Sequence, residues 1–428
     1  MGMRIYLLFI FLIGSYSLLA QEYDSLVKNE KIVISQLTDT TAGVRLDSLL
    51  KPRLWALALP MNLTSDTNSY QGLDIKWIAN NKMATKFYSG FRVAVDSMNR
   101  ANQNIQLFLV EHDEINNVYR VQDDPYSLLY TYSPKEFMDI CNRLGVEKII
   151  GPFRSRASEI LSTHSIKIPV INPVSRVVNV LGNPLLVAAA PSRVSEAKAL
   201  GRRAAIDKGN NDSSITVLLL TESSVKMKLH SSFIGSYGSV GRDVTEVIIQ
   251  EIIPESDFID LSSRGPKNKL IRYVFLDNDV LMAAQLLTSF RARDANLTEF
   301  WTLGSVLKSS ALDSYLLLRQ PIVWAQTERA DYIRLENIYN TIKRVSKMPP
   351  GRWEWLGYDM AWYASYMRSA IPMAFVGPRR LYVWSHNEAD GYVNESALMF
   401  KFDKLGVRVL DDIPQKIRSE QDSLMINQ

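Results

Sequence analysis

The sequence predicts an α/β protein built as two successive units, each a mostly parallel β-sheet flanked by helices. Short apolar runs without polar alternation recur along the chain, as strands covered on both faces require. Between them lie stretches whose apolar residues return at helical spacing, so strand and helix alternate through two series. A third observation concerns the chain start. An apolar run from Ile5 to Leu19 follows the lone basic Arg4 and ends at Leu19-Ala20-Gln21. It is too short to span a bilayer comfortably and carries a small residue before a cut, so residues 1–20 read as a secretory signal peptide.

After a polar lead-in over 21–52, the run Leu54 to Leu59, closed by Pro60, reads as a central strand. From Met83 to Asn99, Ala84, Phe87, Tyr88, Phe91, Val95 and Met98 recur at helical spacing. Ile105–Val110 is the second strand. Glu111, His112, Asp113 and Glu114 then read as solvated turn residues. Ser133-Pro134-Lys135-Glu136 supplies an N-cap, a proline at the first helical position and a carboxylate in the first turn of a helix ending near Gly145. The strand Val146–Ile150 ends in Gly151-Pro152, a helix spans Ala157–His164, and Ile168–Ile171 is a strand broken by Asn172-Pro173. Leu185–Ala190 closes the first series at Pro191-Ser192, the expected hinge.

The second series opens with the helix Ser195–Ile206 and the strand Ile215–Leu220. Val244–Ile253 and Ile271–Leu276 read as strands, Val280–Phe290 as helix, and Phe300–Gly304 as a strand end. Ile322–Ala325 leads to helices around 332–345 and 358–367. From Leu381 to Leu410 apolar and polar residues alternate, as in half-buried antiparallel strands.

Composition excludes several classes. Hydrophobic residues make up 46% and charged residues 22%, the balance of a globular protein, and no later segment is apolar for long enough to cross a membrane. A net charge of +4 is too small to argue for nucleic acid. Cys141 is the only cysteine, so an internal disulfide is excluded, and its place on an apolar helix face reads as a buried structural thiol. His112, His164, His230 and His386 are too scattered for a metal site. There is no phosphate-binding loop, nucleophile elbow or dinucleotide glycine cluster, and Asp123 and Asp124 are neighbours on a polar loop. The expectation is a protein that is not an enzyme and uses no cofactor or metal.

Four stretches carry a resemblance. Ala84 to Ser97 holds a Phe-Tyr-x-Gly-x-x-x-Ala-x-Asp-Ser pattern, and Ile149-Ile150-Gly151-Pro152-Phe153-Arg154-Ser155 a strand-to-helix turn. Ile168-Pro169-Val170-Ile171-Asn172-Pro173-Val174-Ser175 and the late Gly357-Tyr358-Asp359 complete the set, in order. Together they resemble the type I periplasmic binding protein family, and most closely its Gram-negative envelope branch. The likeness runs from about Leu54 to about Val409. It implies two lobes joined by three crossings with a ligand held in the cleft: lobe one at 53–191 and 325–368, lobe two at 192–324 and 369–410, and a tail at 411–428. It also implies a periplasmic location.

In such folds ligands sit beyond the carboxyl ends of the parallel strands. If Gly151–Arg156 begins a helix, its free N–H groups favour an anion. Ser155 matches a position that grips the ligand carboxylate in amino-acid-binding relatives. Phe153, Arg154 and Arg156 flank it, the arginines offering charge-assisted donors. Ser175 matches a second contact position. Arg176 departs from the small hydroxyl residue usual there, which disfavours a free amino acid and tilts toward an anion or no small ligand. Glu222 and Asn278 follow strand ends of the second lobe and would face the cleft. Each of these residues has a plain alternative as a helix cap or solvated loop residue. Trp353 and Trp355 are the best exposed tryptophan candidates, with packing the default role.

The resemblance therefore implies a non-enzymatic periplasmic protein holding a small, preferably anionic solute or cell-wall fragment between its lobes. The alternative is an envelope scaffold or regulator of cell-wall or outer-membrane machinery with no transported ligand. That version would work through an envelope protein partner. Neither involves nucleic acid or a stable membrane span after signal removal.

Overall fold

A computed structural model describes residues 52–61, 75–121, 130–211, 213–252, 269–290, 297–309, 320–327, 336–367, 374–377, 380–386, 389–403 and 406–410, with three more between 310 and 319. The expected signal peptide, the lead-in to residue 51, Asp123, Asp124 and the tail 411–428 lie outside the described residues.

The first series gives β1 (Arg53–Leu59), α1 (Ile75–Arg100), β2 (Ile105–Asp113), β3 (Val118–Val121), β4 (Tyr130–Tyr132), α2 (Pro134–Leu144), β5 (Lys148–Ile150), α3 (Ser155–Thr163), β6 (Val170–Asn172) and β7 (Leu186–Ala188). Alternate residues of β1 serve two cores, which is why its run is apolar throughout. Trp55, Leu57 and Leu59 pack with α1, whereas Ala56 and Ala58 pack with Phe137, Met138 and Cys141 of α2. Ser133 caps α2 in a full capping box with Glu136, as its sequence predicts. Cys141 is buried and free.

The second series gives α4 (Arg193–Asn210), β8 (Ile215–Leu220), α5 (Glu222–Lys226), α6 (Leu229–Gly238), β9 (Val247–Glu251), β10 (Ile271–Phe275), α7 (Val280–Ser289), β11 (Thr298–Leu303), α8 (Gly304–Leu307) and β12 (Ile322–Gln326). Leu218, Val274, Trp301 and Val323 pack with α4 and α6, while Val217, Tyr273, Phe300 and Trp324 lie in the opposite core with α7. The expected strand at Val244 begins only at Val247, because Asp243 caps a short 3₁₀ turn over Val244–Glu246.

The chain then adds α9 (Glu336–Ser346) and α10 (Arg352–Tyr366), followed by β13 (Ala374–Val376), β14 (Leu381–Ser385), β15 (Tyr392–Asn394), β16 (Leu398–Asp403) and β17 (Gly406–Val409). Helix α10 lies against α1 with almost no side-chain spacer. A Cβ on Gly90 would stand 1.7 Å from the Glu354 carbonyl oxygen, and one on Gly357 would stand 1.9 Å from that of Phe87. Both helices begin earlier than their apolar periodicity suggests.

The strands form two sheets, ordered β13-β14-β15-β7-β6-β5-β1-β2-β3-β4 and β17-β16-β12-β11-β10-β8-β9. Strands from β15 to β2 in the first sheet and from β12 to β9 in the second run parallel. One expectation needs correction. Residues 369–410 were assigned to lobe two, yet β13–β15 join the first sheet and only β16 and β17 the second. The tail pairs antiparallel, as its alternation predicts, in β13–β14, β14–β15, β12–β16 and β16–β17, and departs from it once, where β15 pairs parallel with β7, Tyr392 opposite Val187. Alternation along one strand reports its burial and not the direction of its neighbour.

The chain passes between sheets after β7, after β12 and after β15. Asn394, fully buried, ties the first and third crossings. Its Nδ2 donates to the Ala189 carbonyl at 3.0 Å and its Oδ1 accepts from Val383 and Ser396 N–H. Ser195 Oγ of α4 donates to its backbone carbonyl.

Candidate functional site

The carboxyl ends of β5 and β6, the first turn of α4 and the carboxyl ends of β8, β10 and β11 supply the loops at the junction of the two lobes. Gly151 turns the chain after β5 with φ +96°, where a Cβ would meet the Ala58 carbonyl oxygen at 2.1 Å. Buried Asn172 at the end of β6 fastens this turn to the next. Its Nδ2 donates to the Pro152 and Phe153 carbonyls and to Ser158 Oγ at 3.0–3.1 Å. Its Oδ1 accepts from Val174 and Ser175 N–H. The N–H groups that open the Ser175 loop are thus already satisfied by a side-chain amide.

Ser155 is the first residue of α3 and Arg156 is exposed beside it. Arg154, at the N-cap, turns back to Glu114, Nε to Oε2 2.9 Å. Phe153 does not line the junction. It is 3% exposed and meets Phe87 edge-on at 5.1 Å, because an aromatic ring on this turn fills the core under α1.

Glu111, His112 and Asp113 are buried strand residues and not solvated turn residues. Strand β2 continues past its parallel partner into a hairpin with β3, and Arg120 of β3 pairs with both carboxylates, at 3.2 Å and 2.8 Å. The ring of His112 lies against Tyr119, centroids 4.9 Å apart. Its Nε2 donates to Asn117 Oδ1 at 3.1 Å. Burial lowers its pKa to about 4, so it is neutral.

On the second lobe, Ser192 caps α4 through the Ser195 N–H, and Glu196 follows in the first turn, where the helix dipole favours a carboxylate. Glu196 is 1% exposed. Its Oε1 lies 3.4 Å from Arg176 Nη2 across the junction, and its Oε2 has no hydrogen-bond partner among the described residues. Burial pushes its pKa up to about 6, against the opposing pull of Arg176, Lys308 and Arg193. The Arg193 guanidinium is held by the Asn278 amide oxygen, Nη1 at 2.7 Å and Nε at 3.1 Å, while the amide nitrogen donates to Ser305 Oγ. Asn278 N–H in turn donates to Asp277 Oδ1 at 2.6 Å, and Asp277 accepts from Thr221.

The structure therefore brings Arg176 and Asn278 to one polar network, linked through Arg193 and Glu196. Glu222 stays outside it, on the exposed face of α5 and paired with Lys226 one turn on at 2.6 Å. Trp355 is buried in the core shared by α10 and α1, and Trp353 is half-buried under Arg352 at 5.1 Å. Among the described residues no group of His, Cys, Asp and Glu could hold a metal ion, and no helix is long and apolar enough to cross a membrane.

Comparison with solved structures matches this architecture. The C-domain of LpoA from Haemophilus influenzae, a regulator of PBP1A, aligns with TM-score 0.50 and 13% identity over 84% of this chain and all of that one. A putative branched-chain amino acid ABC transporter protein from Rhodospirillum rubrum aligns with TM-score 0.54 and 14% identity, again over 84% of this chain and all of its own. The fold is that of the type I periplasmic binding proteins. Full-length LpoA aligns with TM-score 0.52 and 12% identity, and the match spans 59% of its length. No protein-family model and no curated protein matches the sequence. Within the type I fold both binding proteins and a regulator occur, so the fold by itself does not choose between those roles.

Sequence reasoning missed the roles of Asn172, Arg193, Glu196 and Ser305, and read Glu114 as a solvated turn residue although it pairs with Arg154. Two of them left signals. Ser192 with Glu196 reads as a capped, acidic first turn directly behind the expected hinge, and Asn172 ends an apolar strand where a buried amide must find partners.

Proposed function

We propose that this chain is an exported, non-enzymatic envelope protein that uses a binding fold as a scaffold or regulator and engages a protein partner without capturing a free solute. The observation that carries this reading is the Arg176–Glu196 pair. A carboxylate of the chain itself, buried between the lobes, stands where an anionic solute would meet Arg176. Glu114 occupies Arg154 in the same way. The crevice beside Arg176 has a volume of about 10 Å³, far below the roughly 300–1,000 Å³ of ordinary small-molecule pockets. The likeness to the LpoA C-domain, a regulator of PBP1A, supports a cell-wall synthase as the class of partner, and the apolar leader at Ile5–Leu19 supports a periplasmic location.

A second reading, capture of a small anionic solute or cell-wall fragment, rests on the first turn of α3. There Ser155 opens the helix and exposed Arg156 has no ion-pair partner among the described residues. Two measurements separate the readings. Purified mature protein added to the cell-wall synthases of its own organism should change their polymerisation rate. A thermal-shift screen with amino acids, sugar acids and muropeptides should show no stabilisation that depends on Ser155 and Ser175. A saturable rise in Tm abolished by Ser155→Ala with Ser175→Ala, alongside unchanged synthase rates, would establish solute capture instead.

A further inference from the structure

We infer that Glu196 is a proton-sensitive latch between the lobes: with a proton it holds the lobe arrangement described here, and without one it favours lobes parted at the Arg176 loop. The carboxylate belongs to lobe two, on the first turn of α4 directly behind the first crossing. Its neighbour Ser195 bonds the Asn394 carbonyl at the third crossing. Its Oε1 reaches lobe one through Arg176, 3.4 Å away in the loop after β6. A rotation at the crossings therefore moves Glu196 against Arg176.

Ionisation is costly at this position. Glu196 is buried, and its Oε2 has no hydrogen-bond partner among the described residues. The charged groups acting on it are cations: Arg176 from lobe one, Lys308 after α8 and Arg193 on α4 itself. Arg352 and Arg380 line the same crevice as Arg176, and Asp277 joins the network through Asn278. Those cations favour the ionised form, yet burial outweighs them and pushes the pKa from 4.5 up to about 6. A neutral carboxyl group is buried at much lower cost, because it carries no charge to desolvate. Water is what ionised Glu196 lacks, and parting the Arg176 loop from α4 admits it.

By linkage, the buried arrangement holds the proton more tightly than a parted one in which Glu196 is hydrated and titrates near 4.5. Protonation therefore favours the described arrangement. That preference is complete below pH 4.5 and is lost as pH rises through about 6. The shift corresponds to about a thirtyfold change in the ratio of described to parted molecules, of which about eightfold falls between pH 5 and pH 7.5. Acid closes this junction, although neutral pH is where its ion pair forms. The latch goes beyond the partner-binding reading and does not require it, since it concerns the lobes of the chain alone.

The test measures lobe separation in the mature chain by double electron–electron resonance. Nitroxide labels are placed on Ile115→Cys, at the tip of the β2–β3 hairpin, and on Leu281→Cys, in the first turn of α7. Both positions are exposed, one on each lobe, and Cys141 is buried away from the label. The expected result is a two-state distance distribution in which the longer distance gains about eightfold over the shorter between pH 5 and pH 7.5. Glu196→Gln should keep the shorter distance at both pH values. Arg176→Gln, which removes one of the opposing cations at a partly exposed residue, should move the midpoint to higher pH. A distribution that ignores pH in the parent, a pH response retained in Glu196→Gln, or an unmoved midpoint in Arg176→Gln would overturn the latch. Altered synthase rates from a protein whose lobes ignore pH would sink the latch and leave the partner-binding reading intact. A pH-driven distance change in a protein without effect on the synthases would do the reverse.

Discussion

Glu196→Gln should stabilise the protein at neutral pH, although it removes an ion pair. The carboxylate is buried, and its pKa rises from 4.5 to about 6 despite three nearby cations. Desolvation therefore outweighs the attraction of Arg176, Lys308 and Arg193. At about 1.4 kcal/mol per tenfold change in proton affinity, the ionised carboxylate costs the fold about 2 kcal/mol above pH 6. Between pH 4.5 and about 6 the folded state holds a proton that the unfolded state has released. Stability from this group is thus greatest at low pH and is lost as pH rises through that window. Glutamine keeps the shape without the charge. The Arg176 side chain remains 32% exposed and can be hydrated, so its release does not leave a buried lone cation. Urea unfolding of the parent and of Glu196→Gln at pH 5 and pH 7.5 measures the effect. The variant should be more stable by about 1–2 kcal/mol at pH 7.5, with the difference shrinking at pH 5. A loss of 2 kcal/mol or more at pH 7.5 would mean that the pair is a net stabiliser, and the desolvation argument would be wrong.

His112 acts in the opposite direction. Its folded pKa of about 4 lies below the usual 6.5, so the unfolded chain takes up a proton that the fold refuses, and stability falls as pH drops from 6.5 toward 4. His112→Phe, which keeps a ring against Tyr119, should reduce the acid-induced fall in the urea midpoint, by up to about 3 kcal/mol if the whole shift is removed. Gly90→Ala should cost about 3 kcal/mol or more, since its Cβ would lie 1.7 Å from the Glu354 carbonyl oxygen of the opposing helix. Gly235→Ala, in α6 with nothing within 4 Å of the added carbon, should instead stabilise by about 0.5–1 kcal/mol in the same unfolding assay.

The parallel strands were legible because burial on both faces leaves an uninterrupted apolar run, as in Leu54–Leu59 and Ile215–Leu220. Ser133-Pro134 marked the start of α2 because capping chemistry is local. The β2–β3 hairpin was hidden for the converse reason. Glu111 and Asp113 look solvated until Arg120, several residues on, is folded back against them. The destination of β13–β15 was equally illegible, since which of two sheets an edge strand joins depends on contacts such as Asn394 with Ala189, far apart in sequence. At the junction, Arg176 was legible as an unusual residue, but not its partner. Glu196 sits twenty positions later, where the Ser192 cap marks an acidic first turn but not the burial of its carboxylate against Arg176.

Of the three arginines that suggested an anionic solute from sequence, the fold pairs two with carboxylates, Arg154 with Glu114 and Arg176 with Glu196, and leaves Arg156 exposed. Such pairs confer little net stability, and Glu196 in its ionised form subtracts from it, so they are poor explanations of how the lobes hold together. That task falls to the uncharged contacts of the crossings, above all Asn394, whose amide is satisfied from three sides within a fully buried setting. A charge pair that costs energy and spans two lobes is better understood as setting their relative position than as strengthening the fold. A pair whose ionised carboxylate costs about 2 kcal/mol is a term small enough for a partner surface to outweigh in setting lobe position.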